Sequence, residues 1–398
     1  MRRLRRLGRL FVVVAAVAAV GWRLGPAVFG RRLVARTERR LNPVARSGPY
    51  RASSRAEELH RSLLVADLHA DSLLWGRDLL VRADRGHVDV PRLIEGGVAV
   101  QAFAACPKVP RHLNLDRNDG RTDDVTLLGL ASGWPMSALT SLLDRTLFMA
   151  EQLEVFAARS GGRLTVVRSA DDLEAYLNRR RNDPALTAGM LTIEGAHALD
   201  GDLESLDRLV AVGYRMIGIV HFFDNEFGGS AHGVDRGGLT PLGRELVGRM
   251  EERSVLVDVA HASPQTIDDV LAVAKRPVVA SHTGVRGVAD NVRNLTDEQL
   301  RGVAATGGLV GIGFWPTACG GDDASSIARS VAHAVGVAGV RHIGLGSDFD
   351  GAVPVPFDAS GMVLLTEALL DEGFSDEDVA AVMGENTLRL LAGSLPPR

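Results

Sequence analysis

The feature that most constrains this chain is a set of five apolar segments, far apart in the sequence, that each end in a histidine or an acidic residue. They lie at residues 64–71, 190–195, 255–261, 277–282 and 342–348. Each segment has the length and the β-branched content of a buried strand, and helix-like sequence follows most of them. The carboxyl ends of parallel strands in a closed barrel meet on one face, so these distant residues can share one site there.

From about residue 57 onward, strand-like and helix-like stretches alternate to the end of the chain. Eight apolar strands with helices between them favour a (β/α)8 barrel of the TIM type over an open doubly wound sheet. An open sheet usually binds its ligand at one switch point and does not spread candidate ligands over five strands. The predicted strands cover residues 64–70, 98–105, 189–194, 215–220, 255–260, 277–281, 308–313 and 342–347.

Helical periodicity appears between most of these strands. A further apolar run, Leu164 to Val167, predicts a short extra strand. Residues 106–137 show no clear periodicity and are interpreted as a lid or rim loop. The predicted helices lie near residues 138–159, 203–212, 241–253, 264–274, 296–305, 324–337, 361–372 and 379–391.

The first 30 residues predict a segment for export or membrane attachment. Five arginines between Arg2 and Arg9 precede an apolar run from Leu10 to Trp22, and a second apolar stretch continues to Gly30. A basic region before an apolar run is typical of a signal peptide or an uncleaved anchor. The sequence therefore predicts a hydrophobic helix at residues 1–30 and a protein that is membrane-anchored or exported to the cell envelope. Whether the segment is cleaved stays open.

Charge is distributed unevenly along the chain. Residues 1–55 hold 14 arginines and one acid, Glu38, whereas the whole chain has a net charge of −4. The remainder is therefore strongly acidic, which argues against nucleic acid as a partner, while the basic segment suits an anionic membrane surface. We interpret residues 31–56 as an arginine-rich linker and residues 57–398 as one barrel domain.

Several of the strand-end residues can bind metal ions. His69 and Asp71 are two positions apart, and alternation along a strand places both side chains on one face. His261 and His282 end two later strands, and Glu194 ends another. Histidine nitrogen combined with carboxylate oxygen suits Zn²⁺, with Co²⁺ or Mn²⁺ as substitutes. The five residues together predict a metal centre at the mouth of the barrel.

Two metal ions held close together need a bridging anion, and the sequence restricts the choice. The lysines of the chain are Lys108 and Lys275, and neither ends an apolar strand. A modified lysine is therefore not a candidate, and Glu194 is the predicted bridge. Asp348 ends the last strand, where it is predicted to be the general base that takes a proton from the attacking water. The alternative for Asp348 is a capping role in the next segment.

In this order and spacing, the motifs resemble those of the renal or membrane dipeptidases, which are zinc peptidases on an amidohydrolase-type barrel. The resemblance covers nearly all of residues 57–392. In this chain Ala70 replaces an asparagine that many relatives have between the first two ligands. The motifs that carry the resemblance are Asp67-Leu68-His69-Ala70-Asp71, Ile193-Glu194-Gly195, Asp258-Val259-Ala260-His261, Ser281-His282-Thr283, Arg293-Asn294-Leu295-Thr296-Asp297 and Gly346-Ser347-Asp348-Phe349-Asp350-Gly351.

The resemblance implies a role for each candidate residue. His221, which ends an apolar run that begins at Met216, falls where the family has a histidine that contacts the scissile carbonyl. Arg293 matches a residue that pairs with the free carboxylate of the substrate, and an arginine fork suits that partner. The implied dizinc centre has a first zinc held by His69 and Asp71, a second held by His261 and His282, and Glu194 as the bridge.

The resulting prediction is dizinc-dependent hydrolysis of dipeptides with a free C-terminal carboxylate, by a hydroxide that bridges the two Zn²⁺ ions. L-Xaa-D-Xaa substrates are included beside L,L-dipeptides, and the family resemblance also implies a homodimer. One alternative is that the same barrel hydrolyses another amide, either an N-acyl amino acid or a lactam. A remote alternative is an inactive, membrane-tethered binding protein.

The cysteine content gives little further constraint. Cys106 and Cys319 are the two cysteines of the 398-residue chain, too few for a disulfide scaffold. Neither has the spacing of a metal motif, so both are predicted to be buried structural thiols. Whether they pair stays open at this point.

Overall fold

The computed structural model describes residues 29–398, so most of the predicted signal or anchor segment lies outside the described residues. All strand pairings within the sheet are parallel. The strands of the described part are β1 Val65–Ala70, β2 Val98–Ala105, β3 Leu164–Val166, β4 Thr187–Ile193, β5 Tyr214–Gly218, β6 Leu256–Asp258, β7 Val278–Thr283, β8 Leu309–Ile312 and β9 Ile343–Leu345.

Eight of the described strands close into a barrel. Strand β1 pairs with β2 on one side and with β9 on the other, and β2 pairs with β4. From β4 the neighbours follow in chain order to β9, which completes the ring. Strand β3 lies outside the ring and pairs with the start of β4. The predicted (β/α)8 barrel and the predicted extra strand are therefore confirmed.

Helices surround the barrel and follow most of its strands. Those of the described part are α1 over residues 29–41, α2 Ser54–Ser62, α3 Val90–Glu95, α4 Asp124–Ser132, α5 Met136–Thr140, α6 Leu142–Arg159, α7 Ala170–Arg180, α8 Ser205–Ala211, α9 Pro241–Glu252, α10 Pro264–Val273, α11 Asp297–Ala305, α12 Pro316–Cys319, α13 Ala324–Ala338, α14 Val363–Asp371, α15 Asp376–Ala380 and α16 Asn386–Ser394. A π-helical turn, Ala381–Glu385, joins α15 to α16.

The barrel strands are continuously apolar because they are buried on both faces. Every residue of β1, β2, β4 and β7 is buried, as expected for parallel strands between a filled interior and a layer of helices. One buried cluster joins Ala66 and Leu68 of β1 and Val100 of β2 to Leu173 of α7 and Leu391 of α16. This packing fixes the strand ends, and with them the side chains at the mouth of the barrel.

The predicted loop at 106–137 differs in part from the structure, because it contains α4. The Asp123 side chain caps this helix by accepting from the Val125 amide, and Gly133 ends it with a left-handed φ of 78°. The predicted helix at 138–159 is divided into α5 and α6 at Ser141, whose side chain accepts from the Asp144 amide. Local side-chain caps therefore set both boundaries.

The segment interpreted as a linker, residues 31–56, contains most of α1 and lies against the barrel. Val44 forms a bridge with Val355, and the Glu38 side chain is fully buried. Within residues 29–398, no helix has both the length and the apolar character needed to cross a membrane. The proposed boundaries at residues 30 and 56 stay predictions.

Both cysteines are buried, as the sequence predicts, and the structure shows that they do not pair. The Cys319 thiol donates to the carbonyl oxygens of Trp315 at 3.3 Å and of Gly321 at 3.2 Å. Cys106 directly follows β2 and lies at the barrel mouth, in the site described next.

Candidate metal centre and substrate cavity

The predicted ligands converge at the carboxyl ends of the barrel strands. His69 is the last residue but one of β1, and Asp71 follows that strand directly. Glu194 is the first residue after β4, and His282 lies near the end of β7. His261 comes three residues after β6. The sequence placed these five residues at strand ends, and the closed barrel brings their side chains together.

Glu194 lies at the centre of this cluster, with one carboxylate oxygen among three imidazoles. Its Oε1 is 3.1 Å from Nε2 of His261, 3.3 Å from Nε2 of His282 and 3.7 Å from Nε2 of His69. Its Oε2 is 3.2 Å from Nε2 of His221. A single carboxylate therefore faces all four predicted histidines, which is the position that a bridging ligand requires.

Two further carboxylates flank His69. Its Nε2 is 3.4 Å from Oδ2 of Asp71 and 3.9 Å from Oδ1 of Asp348. The rings of His69 and His282 lie with centroids 3.7 Å apart, so the two halves of the cluster are in contact. Asp348, which follows β9, is therefore at the edge of the cluster and not among its central donors.

Two of these residues are held in unusual backbone conformations. His261 has a φ of 64° and Asp348 has a φ of 60°, in the left-handed region that non-glycine residues seldom adopt. Such conformations persist where surrounding contacts impose them, and they concentrate at functional sites. At His261 the Ala231 amide donates to the carbonyl oxygen at 2.8 Å, which helps to keep the imidazole directed into the cluster.

Hydrogen bonds behind the cluster orient one histidine. Ser281 Oγ lies 2.8 Å from Nδ1 of His282 and donates to Oδ2 of Asp258 at 2.6 Å. The same aspartate accepts from the amides of Ser281 and Ala260. A second hydrogen bond on the far nitrogen of a ligating histidine fixes its ring and tautomer. Asp258 and Ser281 belong to motifs that are visible in the sequence, but the sequence does not indicate this contact between them.

A similar set of contacts supports His69 from within the barrel. Asp67 accepts from the Ser347 amide at 2.7 Å, from Ser347 Oγ at 2.6 Å and from Gln101 Nε2 at 2.6 Å. Ser347 Oγ is also 3.1 Å from the carbonyl oxygen of His69. Asp67 therefore ties the strand that carries His69 to the segment that carries Asp348.

Burial shifts the pKa values of the carboxylates upward. Burial, followed by the charge of Asp71, raises the pKa of Glu194 well above its ordinary value. Burial also raises the pKa of Asp348 to about 8, with Asp71 adding to this shift and His69 opposing it. Crowded negative charge away from water is unfavourable without a cation, so the three carboxylates favour a positively charged occupant.

The imidazoles fit the same occupant. Burial lowers the pKa of His221, His261 and His282 well below the usual range, which keeps these rings neutral and able to coordinate. His69 differs: burial lowers its pKa, but the Asp71, Glu194 and Asp348 charges together raise it to about 10. A proton on His69 thus balances charge in the protein alone, where a metal ion would replace it.

The donor set fits divalent metal ions. Among residues 29–398, the ligand atoms of His69, Glu194 and His282 lie within 4.8 Å of one another, as do those of His69, Asp71 and Asp348. Oδ1 of Asp71 is buried and has no hydrogen-bond partner within the described part of the chain. An unpartnered buried carboxylate oxygen is costly, and metal coordination would satisfy it.

His221 faces Glu194 with one ring nitrogen and the lid segment with the other. Its Nδ1 is 3.4 Å from the Lys108 carbonyl oxygen and 3.8 Å from the Cys106 sulfur. His197 is buried, and its ring stacks against that of His221 with centroids 6.5 Å apart. Burial, with a smaller contribution from Lys108, lowers the pKa of His197 to about 3.

Arg293 reaches the same site from the segment after β7. Its side chain is only 6% exposed, and its Nη2 donates to the His282 carbonyl oxygen at 2.8 Å. The guanidinium carbon lies 5.6 Å from the centroid of the Trp315 ring. The guanidinium has five donors, so the remaining N–H groups are free to bind an anion in the adjoining cavity.

A cavity of about 240 Å³ opens beside the cluster. Asp71, Glu194, His221, Asp348 and Arg293 line one side of it, and the other walls are mainly apolar. Sequence reasoning missed most of this apolar wall, although the predicted lid segment contributes part of it. The apolar lining is formed by Leu74, Val109, Leu113, Leu115, Phe222, Trp315 and Val353.

His232, which is fully buried, supports this wall from behind. Its Nδ1 lies 2.8 Å from the Leu115 carbonyl oxygen, and its ring stacks on Phe222 with centroids 4.7 Å apart. The Asn118 amide donates to the His232 carbonyl oxygen at 2.8 Å. His232 therefore fastens the lid segment to the loop that follows β5.

A closed parallel barrel with buried imidazoles and carboxylates at the carboxyl ends of its strands is the arrangement of a metal-dependent hydrolase. Residues 53–393 match the family described as membrane dipeptidase, peptidase family M19. The chain belongs to this family and is therefore a metallopeptidase, as the motif resemblance predicted.

Known relatives agree with this assignment. The fold is similar to a metallopeptidase of Rhodobacter sphaeroides liganded with a phosphinate mimic of the dipeptide L-Ala-D-Ala, with 26% identity, a TM-score of 0.68, and 83% of this chain and 99% of that one covered. It is also similar to the family M19 dipeptidase AC, with 27% identity, a TM-score of 0.67, and 84% and 99% covered. An uncharacterized dipeptidase of Schizosaccharomyces pombe is 34% identical over 213 residues, 51% of this chain and 52% of that protein.

Proposed function

We propose that this metallopeptidase hydrolyses dipeptides that have a free C-terminal carboxylate, and that it does so with two zinc ions. The observation that carries the proposal is the position of Glu194, whose two oxygens face four imidazoles at 3.1–3.7 Å. Arg293 lies in the same cavity as this cluster. A cation-binding centre beside a buried arginine suits a small substrate with an anionic end.

The metal ligands of the proposal are those that the sequence suggests. Zinc bound in this set supplies Lewis acidity and a water activated for attack at neutral pH. Glu194 would be shared between the two ions because its Oε1 lies 3.1–3.7 Å from the ligand histidines proposed for both, His261 and His282 for one ion and His69 for the other. In this assignment His69 and Asp71 hold one ion, and His261 and His282 hold the other.

The remaining residues bind the substrate and move protons. Arg293 pairs with the terminal carboxylate and fixes the position of the peptide bond relative to the cluster. His221 is neutral, since burial lowers its pKa, and donates a hydrogen bond to the carbonyl oxygen that becomes negative during attack. Asp348, whose Oδ1 lies 3.9 Å from Nε2 of His69 at the edge of the cluster, takes the proton of the attacking water and delivers it to the leaving amine.

The size of the cavity and one relative support a dipeptide as substrate. A volume of about 240 Å³ is small for a pocket, which favours short peptides over long ones. The Rhodobacter sphaeroides relative is liganded with a mimic of L-Ala-D-Ala. We therefore include L,D-dipeptides beside L,L-dipeptides.

A second candidate is another amide with a free carboxylate, such as an N-acyl amino acid, or a lactam. Among the described residues that line the cavity, the acidic ones are Asp71, Glu194 and Asp348, which all belong to the cluster. The described wall therefore has no separate acidic partner for a free amino group, and an acylated nitrogen would fit there as well.

The proposal also includes attachment to the cell envelope through the N-terminal segment. Support comes from the apolar run that begins at Leu10 and from α1, whose exposed side chains include Arg31, Arg32, Arg36 and Arg40. Arginines on one helix face suit an anionic lipid surface. Flotation of the full chain with anionic vesicles tests this, and light scattering of the same preparation tests the proposed homodimer.

The test of function uses the full chain loaded with zinc. Release of free amino acid from L-Ala-L-Ala and from L-Ala-D-Ala is expected, and a chelator is expected to abolish it. N-acetyl-L-alanine in the same assay separates the two candidates, because its hydrolysis in preference to both dipeptides would support the second. Zinc-loaded protein that cleaves neither dipeptide contradicts the proposal.

A matched variant tests the bridging assignment. Glu194→Gln keeps the shape of the side chain but loses its charge, so it is expected to lose both bound zinc and activity. Zinc content by elemental analysis and turnover are measured on the same sample. Retention of two zinc ions and of unchanged turnover would remove Glu194 from the bridge.

A further inference from the structure

Glu38, the acidic residue of the arginine-rich N-terminal region, is fully buried. Glu38 lies in α1, and its carboxylate accepts from Nε of Arg77 at 2.5 Å and from Nε of Arg85 at 2.6 Å. Burial of a carboxylate is costly unless charged donors surround it. Glu38 therefore fixes α1 to the segment that follows β1, in one defined position.

Arg77 connects Glu38 to the loop that carries Asp348. Its Nη2 pairs with Oδ2 of Asp350, and its Nη1 donates to the Val88 carbonyl oxygen. The Arg77 side chain is 2% exposed, so its guanidinium is shielded from water and depends on these partners. A continuous line of contacts thus runs from α1 through Arg77 to a residue two positions after Asp348.

Asp350 is held on all of its polar atoms. Its carboxylate accepts from Ser72 Oγ at 2.6 Å and from the His87 amide at 2.6 Å. Its amide donates to Nδ1 of His87 at 2.9 Å, and its carbonyl oxygen accepts from Nε1 of Trp75 at 2.7 Å. Asp350 is therefore a fixed point of the loop at residues 348–352.

Asn42, at the end of α1, contacts the same loop directly. The Ala352 amide donates to Oδ1 of Asn42 at 2.8 Å. Three residues further on, the Val355 amide donates to the Pro43 carbonyl oxygen at 3.1 Å, and the Ala45 amide donates to the Val355 carbonyl oxygen at 2.9 Å. The chain after α1 therefore pairs with the chain that leaves the loop.

The loop needs such support because its backbone is unfavourable. Asp348, Asp350 and Ala352 have φ values of 60°, 64° and 61°, and each is a left-handed conformation that costs a non-glycine residue free energy. Gly351 packs under the Asp348 carboxylate, where an added Cβ would collide with Oδ1. Gly351, Ala352 and Val353 also line the substrate cavity. The shape of this loop thus sets the direction of the Asp348 side chain.

We infer that α1 is part of the catalytic unit and that Asn42 and Glu38 are positioning residues for Asp348. The family match begins at residue 53, so these contacts come from a part of the chain outside the matched region. The inference rests on the proposed proton-transfer role of Asp348. Loss of either contact frees the loop, so Asp348 is in place for a smaller fraction of the time.

The test compares two variants of the full chain with a control on the same helix. Asn42→Ala removes the acceptor for the Ala352 amide. The side-chain nitrogen of Asn42 has no hydrogen-bond partner in the described residues, so the variant loses no other side-chain hydrogen bond. Glu38→Gln removes the charge between Arg77 and Arg85. The control, Arg39→Gln on α1, breaks the exposed ion pair between Arg39 and Asp84 and leaves the pairs of Arg85 with Asp84 and with Glu38 in place.

The expected result for Asn42→Ala is a fall in kcat of about 5-fold, the equivalent of one lost hydrogen bond, with KM and zinc content unchanged. Hydrogen–deuterium exchange of residues 348–355 is expected to become faster in Asn42→Ala and in Glu38→Gln. The Arg39→Gln control is expected to match the parent in kcat and in exchange.

Each contrary outcome is distinct. A lower melting temperature with unchanged kcat and unchanged loop exchange would make the contacts merely structural and overturn the inference. Equal kcat and equal exchange in Asn42→Ala and in the Arg39→Gln control would also overturn it. If the parent cleaves no dipeptide, the proposed function fails, while the exchange measurement still decides whether α1 restrains the loop.

Discussion

Arg293 gives the most specific prediction, because its partner belongs to the substrate and can be removed independently. The guanidinium donates one hydrogen bond to the His282 carbonyl oxygen at 2.8 Å, and Arg293 also lines the cavity. A bidentate pair with a carboxylate makes two charge-assisted hydrogen bonds. At about 1.5 kcal/mol each, the lower end of their range, the pair is worth about 3 kcal/mol, or roughly 150-fold in kcat/KM.

The assay is a cycle of two enzymes and two substrates. Arg293→Met is compared with the parent on L-Ala-L-Ala and on the same dipeptide with an amide at its C-terminus. The parent is expected to prefer the free acid by about 150-fold, from the energies above, and the variant to treat both substrates almost equally. Loss of the hydrogen bond to His282 affects both substrates, so it cancels in the ratio.

A matched control lies in the same loop. Arg286 donates through Nε to the Asn294 carbonyl oxygen at 3.2 Å and is outside the cavity lining. Arg286→Met is therefore expected to keep the preference of the parent for the free acid. If Arg293→Met also kept that preference in full, the substrate carboxylate would bind elsewhere and the proposed role of Arg293 would be refuted.

Three other predictions concern the cluster and its surroundings. Asp348→Asn is expected to keep its zinc while kcat falls about 100-fold or more, the scale of a missing acid–base group; near-normal turnover beside normal zinc content would exclude that role. Ser281→Ala breaks the contact to Nδ1 of His282 and is expected to weaken zinc binding about 10-fold or more. Competition with a chelator measures the affinity, and equal zinc affinity in the variant and the parent would show that Ser281 does not orient His282. Burial lowers the pKa of His197 to about 3, below the value of about 6.5 in the unfolded chain, so the unfolded chain takes up the proton first and stability falls as pH drops from 6.5 toward 3. His197 is expected to lower the free energy of unfolding by about 1.4 kcal/mol per pH unit in this range. His197→Leu should therefore show a flatter dependence of melting temperature on pH between 6.5 and 5 than the control His112→Gln, which changes an exposed histidine. Parallel profiles of the two variants would contradict this.

The barrel was predictable because its signals are local. Each strand is a short apolar run, and parallel strands that are buried on both faces produce runs of this kind without alternation. The predicted strand ending at Glu194 and the predicted strand ending near His282 both lie where the sequence places them. Since the chain closes into a ring, strand ends alone were sufficient to predict which side chains meet.

The supporting contacts were not predictable in the same way, because they join residues far apart in sequence. The hydrogen bond from Ser281 to Asp258 spans 23 positions, and the one from Ala352 to Asn42 spans 310. Neither residue type is distinctive, since serine and asparagine are common in turns. The interpretation of residues 31–56 as a linker followed from their high arginine content, which does not reveal that Glu38 is buried between two arginines.

The same interactions that form the site raise the free energy of the folded protein when no metal ion is bound. Three carboxylates share a buried space, and burial together with mutual repulsion raises the pKa of Glu194 and of Asp348. His69 compensates with a pKa of about 10, raised by these carboxylates against the effect of burial. A divalent cation can replace that proton and satisfy the unpartnered oxygen of Asp71, so metal binding is expected to stabilise the folded barrel. The ligand cluster is thus held in place by its surroundings before any cation arrives, and this requires the loops around it, including the one supported by α1, to be rigid.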